Sequence, residues 1–301
     1  MSHSFRNFLI VLKRRGFFFF IPDKLFYSIT YRMHCVGRLN WKNPQTFSEK
    51  LNWLKLYYRV PELRTLVDKV AVRDYVAKRI GGNHLIETYG VFSSFEEIDF
   101  SKLPKEFVIK CNHDSGSVKK VNKEHCDRAA LAKFFNHRLK IRFFHYSGRE
   151  WPYKGIKPKI IVEKLLSNPN QPELLCYKFY CFNGEPKFIQ IETGEGKSVH
   201  LDYYDLDFNR TPFKRNDHPN LSKPVDKKPV HFQEMLEISK SLSCDLPFVR
   251  VDLYEAEDTV YFGELTLYPG SGFVWFSPDE WNYKIGGMID LSCFQKRGEN
   301  G

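Results

Sequence analysis

Charged side chains recur in two strand-like runs near the C-terminus, within RVDLYEAEDTVYFGELT, residues 250–266. Side chains alternate between the faces of a strand, so Arg250 and Asp252 share one face of the first run. By the same parity, Glu264 and Thr266 share one face of the second run. The acidic EAEDT stretch between the runs is typical of a hairpin connection. We therefore expect a hairpin that brings Arg250 close to Glu264, with Asp252 diagonal to both.

The residue types on this hairpin suit a particular chemistry. Two carboxylates and a guanidinium on one sheet face can hold a divalent metal ion and the oxygens of a phosphate. The alternative is a structural ion pair on a half-exposed sheet, which needs no ligand. The hairpin by itself leaves both interpretations open.

Two upstream segments carry cations that could meet a phosphate. Lys110 ends an apolar run and precedes the loop NHDSGS, residues 112–117. An ammonium beside a loop of small residues is a phosphate-binding arrangement, although the GxxxxGK[ST] pattern of a P-loop is absent. Lys69 and Arg73 lie four residues apart in LVDKVAVRDYVAKRI, which predicts one helix from which both project. An ordinary solvated helix face is the alternative for that pair.

Composition sets limits on the whole chain. Its 301 residues are 42% hydrophobic and 16% aromatic, enough to bury the core of one large or two modest domains. Such a composition excludes a disordered or low-complexity protein. The seven cysteines are scattered and form no CxxC pair, which favours reduced thiols in the cytoplasm. No cleavable signal peptide is evident at the start.

Positive charge is concentrated at the N-terminus. Residues 1–60 hold eleven Lys and Arg against two acidic residues, although the whole chain carries a net charge of only +10. Charge mixed with apolar side chains over residues 1–35 suits an anionic membrane surface or an acidic polymer. An arm packed on the main domain with a solvated basic face is the alternative.

Local signals predict mixed secondary structure. Thr46 and Glu49 have the spacing of a capping box at a helix start. Asn183-Gly184 joins two β-rich runs as a tight hairpin. A helix is expected over AALAKFFNHRLKIRFFHY, residues 129–146. Together the elements indicate an α+β protein with mostly antiparallel sheets.

The order of these segments resembles the ATP-grasp superfamily, whose D-alanine–D-alanine ligase branch has a similar layout. More closely, the chain is similar to the TupA-like ATP-grasp proteins of cell-surface polysaccharide biosynthesis over residues 30 to 290. The segments that carry this resemblance are NPQTFSEKLNWLKLY, DKVAVRDYV, KCNHDSGS, YKFYCFNGEPKFIQIETG and FGELTLYPGSGF. It implies two α+β lobes that clamp ATP between antiparallel sheets. The implied division is a basic arm at 1–60, an N-terminal lobe at 61–158 and a C-terminal lobe at 159–301.

The resemblance also implies site residues, which we carry over position by position. Cofactor-binding residues would be Lys69, Lys110, Ser115, Gly116, Ser117, Glu163, Lys164, Leu165 and Lys178. The metal ligands would be Asp252, Glu264 and Thr266, and the catalytic residues Arg250, Lys178 and Lys110. Thr266 departs from the pattern, which usually has Asn there, but a hydroxyl can still hold Mg²⁺ or its water. His113 is a candidate acid or base on the acceptor side, or a structural residue.

The implied activity is that of an ATP-dependent carboxylate–amine ligase with ATP and Mg²⁺ as cofactors. Its expected partners are an acidic polysaccharide or lipid-linked sugar precursor and an amino acid or other amine. We expect a uronic-acid carboxylate to be amidated, and a cytoplasmic protein that contacts the inner face of the membrane through residues 1–35. No nucleic-acid partner is expected. The alternative is a glycosyltransferase that uses Asp205-Leu206-Asp207 as a DxD metal motif.

Overall fold

A computed structural model describes residues 20–167, 174–194, 199–292 and 294. Its helices are α1 (Asp23–His34), α2 (Phe47–Tyr57), α3 (Leu63–Val67), α4 (Val72–Ile80), α5 (Arg128–Leu139), α6 (Phe232–Ser243) and α7 (Glu280–Gly287). Its strands are β1 (Thr88–Phe92), β2 (Glu106–Cys111), β3 (Lys119–Asn122), β4 (Ile160–Lys164), β5 (Cys176–Phe182), β6 (Glu185–Thr193), β7 (His200–Tyr204), β8 (Lys214–Arg215), β9 (Phe248–Ala256), β10 (Thr259–Thr266) and β11 (Phe276–Ser277).

A five-stranded antiparallel sheet in the order β10-β9-β5-β6-β7 forms the larger half of the molecule. One face packs against α6 through Met235, Ile238 and Leu242 in the main hydrophobic core. The buried alternate positions of β9, Val249, Val251 and Leu253, supply the apolar side of that contact. The polar positions of β9 are therefore left on the opposite face.

A four-stranded antiparallel sheet in the order β1-β4-β2-β3 forms the smaller half. It has its own core, in which Phe107 and Ile109 of β2 meet Phe135 of α5. Strand β4 begins at Ile160 yet pairs with β1 and β2. The boundary between the lobes that we expect at 158/159 therefore assigns β4 to the C-terminal lobe, although β4 belongs to the smaller sheet. The division into lobes stays a prediction.

Several local signals are confirmed. The Glu49 amide donates to Thr46 Oγ1 at 3.3 Å and the Thr46 amide donates to Glu49 Oε2 at 2.8 Å, which completes the capping box of α2. Asn183 and Gly184 join β5 to β6 with φ angles of 50° and 84°. Positive φ at both central residues is the geometry that matches a twisted hairpin.

Three expected elements have different limits in the structure. The helix expected around Lys69 is broken into α3 and α4, because Asp68 Oδ1 accepts from the amides of Val70 and Ala71 and holds a turn there. Lys69 and Arg73 therefore do not project from one helix. The helix expected over 129–146 ends at Leu139. The connection of β9 to β10 shrinks to two residues, because Glu255, Ala256 and Thr259 belong to the strands.

The N-terminal region is described from Phe20 onward, so residues 1–19 of the expected basic arm lie outside the described residues. Helix α1 packs on the main domain, with Phe26, Tyr27 and Tyr31 against Phe273 and Trp275. None of the helices in the described ranges has both the length and the apolar character needed to cross a membrane. The described cysteines are all free, and Cys293 lies outside the described residues.

Candidate nucleotide and metal site

The polar face of β9 carries a buried ion pair. Arg250 Nε and Nη2 each lie 2.7 Å from one oxygen of Asp252, so the guanidinium binds the carboxylate through two parallel hydrogen bonds. Asp252 is only 2% exposed and Arg250 8%. Their shared face follows from strand parity, since the two residues lie two positions apart on one extended strand. The predicted shared face of this pair is confirmed.

Glu264 and Thr266 join this pair from β10. In the observed register Glu264 lies opposite Asp252, and Thr266 lies opposite Arg250. The expected register, with Asp252 diagonal to Glu264, is wrong because the register shifts at a bulge around Gly263. An added Cβ on Gly263 would stand 2.8 Å from the Tyr254 ring and 3.0 Å from the Asp252 carbonyl oxygen. Glycine is therefore required where the strand bulges.

The three residues expected to hold a metal converge on one point. Arg250 Nη2 occupies that point, at 2.7 Å from Asp252 Oδ2, 3.0 Å from Thr266 Oγ1 and 3.5 Å from Glu264 Oε1. In the described part of the chain, no cluster of three or more His, Cys, Asp or Glu side chains is placed to hold a metal ion. Mg²⁺ usually takes one or two carboxylates together with substrate phosphates and waters. Asp252, Glu264 and the Thr266 hydroxyl fit that donor set.

Lys178 of β5 extends the cluster and exposes a residue that sequence reasoning missed. Its Nζ lies 3.3 Å from Asp252 Oδ2 and 2.6 Å from Glu192 Oε1. Burial favours the neutral amine, but the neighbouring Asp252 and Glu192 carboxylates raise the pKa of Lys178 above its usual value. Glu192 shares a face of β6 with Gln190, the partner of Lys178 in the hairpin register. Counting back from Asn183-Gly184 could have found it.

A second charged cluster lies on the four-stranded sheet. Lys110 Nζ of β2 lies 2.5 Å from Glu163 Oε2 of β4, and Arg73 Nη1 lies 3.7 Å from Glu163 Oε1. The Glu163 side chain is 5% exposed and that of Lys110 12%. Lys110 and Glu163 are two ladder positions apart on neighbouring antiparallel strands, so their side chains share one face. Sequence reasoning named both residues but did not anticipate that they pair.

Lys69 connects the two clusters. Its Nζ donates to the Asp114 carbonyl oxygen, beside the smaller sheet, and lies 3.9 Å from Glu264 Oε2 of the larger sheet. The Lys69 side chain is 12% exposed. The turn held by Asp68, rather than a helix, gives Lys69 this reach. The cations expected to hold phosphates thus lie in one cleft with the expected metal ligands.

The loop that follows β2 has an inward and an outward part. The Ser117 hydroxyl is buried, where it accepts from the Cys111 amide at 2.9 Å and donates to Asp114 Oδ1. Ser115 and Gly116 are exposed, and Gly116 has φ of 79°. Arg138 Nη2 donates to the Ser115 carbonyl oxygen at 2.7 Å. The loop therefore offers backbone groups, rather than the Ser117 hydroxyl, to a phosphate.

Glu163, Lys164 and Leu165 were expected to meet the base of ATP. The Lys164 amide donates to the Glu87 carbonyl oxygen at 2.9 Å, and Lys164 Nζ lies 2.6 Å from Glu257 Oε2 at the tip of the β9–β10 hairpin. Leu165 is the first residue beyond β4. This segment thus runs from the smaller sheet to the edge of the larger one, and its contact with a base stays a prediction.

The charges of the cleft determine the ionisation of Glu264. Burial raises the pKa of its carboxyl, but the positive charges of Lys69 and Arg250 outweigh that effect and hold the pKa below its usual value. Glu264 is consequently an anion at neutral pH. An ionised carboxylate is the form that a magnesium ion requires.

The DxD triplet lies elsewhere. Asp205 follows β7, the strand at the opposite end of the larger sheet from β10. Its carboxylate accepts from the Asn209 amide at 2.8 Å and from Asn209 Nδ2 at 3.2 Å, as in a capped turn. The triplet is therefore part of a turn and outside the cleft described above.

Two antiparallel sheets that enclose lysines on one side and an arginine–carboxylate cluster on the other define an ATP-grasp protein. The TupA-like ATPgrasp family model matches residues 49–290, and the chain belongs to this family. This membership confirms the expected family and fold, and the expected ATP-grasp enzyme with ATP and Mg²⁺ agrees with it. No curated protein matches the chain.

Solved structures with similar folds include two D-alanine–D-alanine ligases. The Bacillus anthracis enzyme, complexed with ATP, is 17% identical with a TM-score of 0.44, over 79% of this chain and 69% of that one. The Helicobacter pylori enzyme is 14% identical with a TM-score of 0.44, over 81% of this chain and 67% of that one. The ATP-grasp ligase PsnB, complexed with minimal precursor, is 9% identical with a TM-score of 0.40, over 73% of this chain and 58% of that one. The family assignment therefore depends on the family match alone.

Proposed function

We propose that the chain is an ATP-dependent carboxylate–amine ligase that amidates a uronic-acid carboxylate of a surface polysaccharide or its precursor. The observation that carries this proposal is the position of Lys69 between the two sheets, in contact with Asp114 and 3.9 Å from Glu264. This position supports a cleft in which the cations that we assign to phosphates face the carboxylate cluster across the two sheets. Phosphoryl transfer depends on such positioning and charge rather than on a covalent enzyme group.

The proposed reaction has two steps. A carboxylate oxygen of the acceptor attacks the γ-phosphorus of ATP, the bond to the β-phosphate oxygen breaks, and ADP leaves. The amine nitrogen then attacks the acyl carbon, inorganic phosphate leaves with the oxygen, and the amine loses a proton. When bound, Mg²⁺ would neutralise phosphate charge beside Asp252, Glu264 and Thr266.

The residues of the cleft have separable roles in this proposal. Lys69 and Lys110 hold phosphate oxygens as point charges, and exposed backbone at Ser115 and Gly116 covers them. Arg250 stabilises the charge on the transferring phosphoryl group, since its planar fork already binds oxygens in two directions. Glu192 and Asp252 both contact the Lys178 ammonium and together fix its position.

The substrate class is supported by charge. Residues 1–60 carry nine more basic than acidic residues, so an acidic glycan or an anionic membrane surface would be attracted there. We infer a cytoplasmic enzyme that meets a lipid-linked or polymeric acidic glycan at the inner face of the membrane. The amine would be an amino acid or a related compound.

A coupled assay tests the proposal directly. Purified protein is incubated with ATP, Mg²⁺, a galacturonic acid oligosaccharide and a mixture of amino acids, and the release of ADP and the oligosaccharide mass are followed. We expect ADP release that requires the oligosaccharide, and an amide product. Thermal stabilisation by a UDP-sugar but not by ATP with Mg²⁺ would contradict the proposal and favour a glycosyltransferase.

A further inference from the structure

A cavity of about 840 Å³ lies beside the cleft and has no role in the site described above. It is enclosed by the segment between α5 and β4, by residues 21–23 and by His113. The volume is of the size that holds a small ligand or one to two sugar rings. The segment after Leu139, which the sequence predicted as helix, forms much of its wall.

The cavity lining is strongly cationic. Lys140, Arg142, Arg149 and Lys154 line it, and Asp23 is the acidic residue of the lining. The Asp23 carboxylate is already neutralised, because its oxygens lie 3.0 Å from Arg149 Nη1 and 2.7 Å from Arg59 Nη2. The net potential inside is therefore positive, which favours an anionic ligand.

The pKa of His145 agrees with a positive potential in the cavity. Burial lowers the pKa of its imidazole, and the positive charges of Arg149, Arg142 and Lys154 lower that pKa further. A histidine surrounded by cations remains neutral at physiological pH. Its depressed pKa thus agrees with the charge of the cavity lining.

Aromatic side chains provide apolar walls between these charges. The Phe143 and Tyr153 rings pack edge to face with centroids 4.9 Å apart, and Lys154 Nζ lies 5.9 Å from the Phe144 ring. Ring faces flanked by cations suit a ligand that has an apolar face and negative groups at its edge. A sugar ring that carries a carboxylate or a phosphate has that form.

His113 marks the end of the cavity that faces the cleft. The residue is 3% exposed and lines the cavity, and neither ring nitrogen makes a hydrogen bond of good geometry within the described residues. Burial lowers the pKa of its imidazole, and weak contacts with the backbone of Ile141 and Arg138 oppose that shift. A buried polar group without a partner costs free energy unless a ligand or water satisfies it. The next residue, Asp114, accepts from Lys69 through its carbonyl oxygen, so the cavity reaches the phosphate-binding cations within one residue.

Tyr153 also lines the cavity. Burial raises the pKa of its hydroxyl well above the usual value, and the negative charges of Glu150 and Glu264 raise it further.

We propose that this cavity binds an anionic sugar, the acceptor of the reaction, with Arg142 and Lys154 pairing with a negative group that does not react. The carboxylate that reacts would lie at the end toward ATP, beside His113. This inference depends on the proposed function, because it assigns the acceptor of that reaction. Its chemistry is shared by a uronic-acid carboxylate and a sugar phosphate. The experiment must tell these two sources apart.

Isothermal titration of the full chain with trigalacturonate, glucose 1-phosphate and neutral maltotriose tests the site. The variant R142Q/K154Q removes two exposed cations of the cavity, and K102Q/K133Q removes two exposed lysines outside it. We expect R142Q/K154Q to weaken binding of an anionic sugar at least about tenfold, as for the loss of a charged hydrogen bond. The control should change that binding less than about twofold, and both proteins should melt like the parent.

The outcomes separate the two proposals. Binding of trigalacturonate identifies a carboxylate as the recognised group, and binding of glucose 1-phosphate alone identifies a phosphate. Equal affinity for maltotriose, no binding of either anionic sugar, or equal loss in both variants would overturn the cavity assignment. Binding of AMPPNP with Mg²⁺ is measured on the same proteins. If the parent protein does not bind AMPPNP with Mg²⁺, the proposed function is refuted, but the assignment of the cavity as a sugar site is unaffected.

Discussion

Arg250 and Asp252 form a two-bond ion pair within a single strand, with Nε and Nη2 each 2.7 Å from a carboxylate oxygen. The same Nη2 also lies 3.0 Å from Thr266 Oγ1 on the neighbouring strand. The guanidinium therefore holds together the oxygens that we expect to receive Mg²⁺. Nucleotide binding must share these oxygens between the guanidinium and the metal ion.

Replacing Arg250 by lysine should lower the turnover number with ATP by about 100-fold, because an ammonium keeps the charge but cannot make two parallel bonds. The KM for ATP should change much less. Steady-state ADP release measures both constants. Arg210 offers a matched control, since its Nη2 lies 2.7 Å from Asp202 Oδ1 outside the cleft. Equal losses in Arg250→Lys and Arg210→Lys would mean that both arginines are only structural.

Glu264→Gln should abolish the magnesium dependence of nucleotide binding. An amide is a poorer ligand than an anionic carboxylate for Mg²⁺, so the affinity for AMPPNP with Mg²⁺ should fall by about tenfold or more. Titration calorimetry with and without Mg²⁺ measures this difference. Glu185→Gln is the control, because Glu185 Oε1 lies 2.7 Å from Lys240 Nζ in an exposed ion pair. If Glu264→Gln binds like the parent, Glu264 is not a metal ligand.

Variants of Lys110 and Glu163 should separate an effect on the free energy of unfolding from an effect on nucleotide binding. Lys110→Met leaves the buried Glu163 carboxylate without its nearest cation, and unfolding in urea should show a loss of about 3 kcal/mol. Lys110→Met/Glu163→Gln should recover most of that loss. The affinity for ATP should stay low in both proteins, because neither has the ammonium that we assign to a phosphate. Recovery of affinity in the double variant would show that Lys110 acts only on folding.

Glu150 should make the protein less stable in alkaline solution. Burial raises the pKa of its carboxyl to about 8, although Lys55 opposes that shift. Between the ordinary pKa near 4.5 and about 8, the unfolded state has lost this proton while the folded state keeps it, so the free energy of unfolding falls as pH rises. Glu150→Gln removes the titration. Its melting temperature should exceed that of the parent at pH 9 and match it near pH 5.

One outcome of this melting experiment would contradict the role of Glu150. A Glu150→Gln protein with the parent's dependence of melting temperature on pH would show that another group causes the loss of stability. Glu62→Gln serves as the control, since the Glu62 side chain is exposed.

Local sequence determined much of the fold. The Thr46–Glu49 capping box and the Asn183-Gly184 hairpin depend on residues at most three positions apart, and both are formed as predicted. The shared face of Arg250 and Asp252 follows from strand parity alone. The order of the segments was enough to indicate the family, which the match over residues 49–290 confirms.

Local sequence was less informative where a side chain competed with the backbone or a strand lost its regular register. The Asp68 carboxylate broke an apparently continuous helix and directed Lys69 toward Glu264. The bulge around Gly263 brought Asp252, and not Arg250, opposite Glu264. Each effect turns on a single side chain or one glycine, which periodicity over a window of residues does not detect.

The sequence by itself predicted which residues would carry the chemistry, because lysines, an arginine and carboxylates in that order are a property of the chain. Only the tertiary structure decided which of them meet. Lys110 pairs with Glu163 and Lys178 with Glu192. Within one six-residue loop, His113 faces the cavity while Ser117 faces the core. The Lys110–Glu163 contact joins segments far apart in the chain, and its partners are chosen by sheet order and burial, which no local pattern encodes.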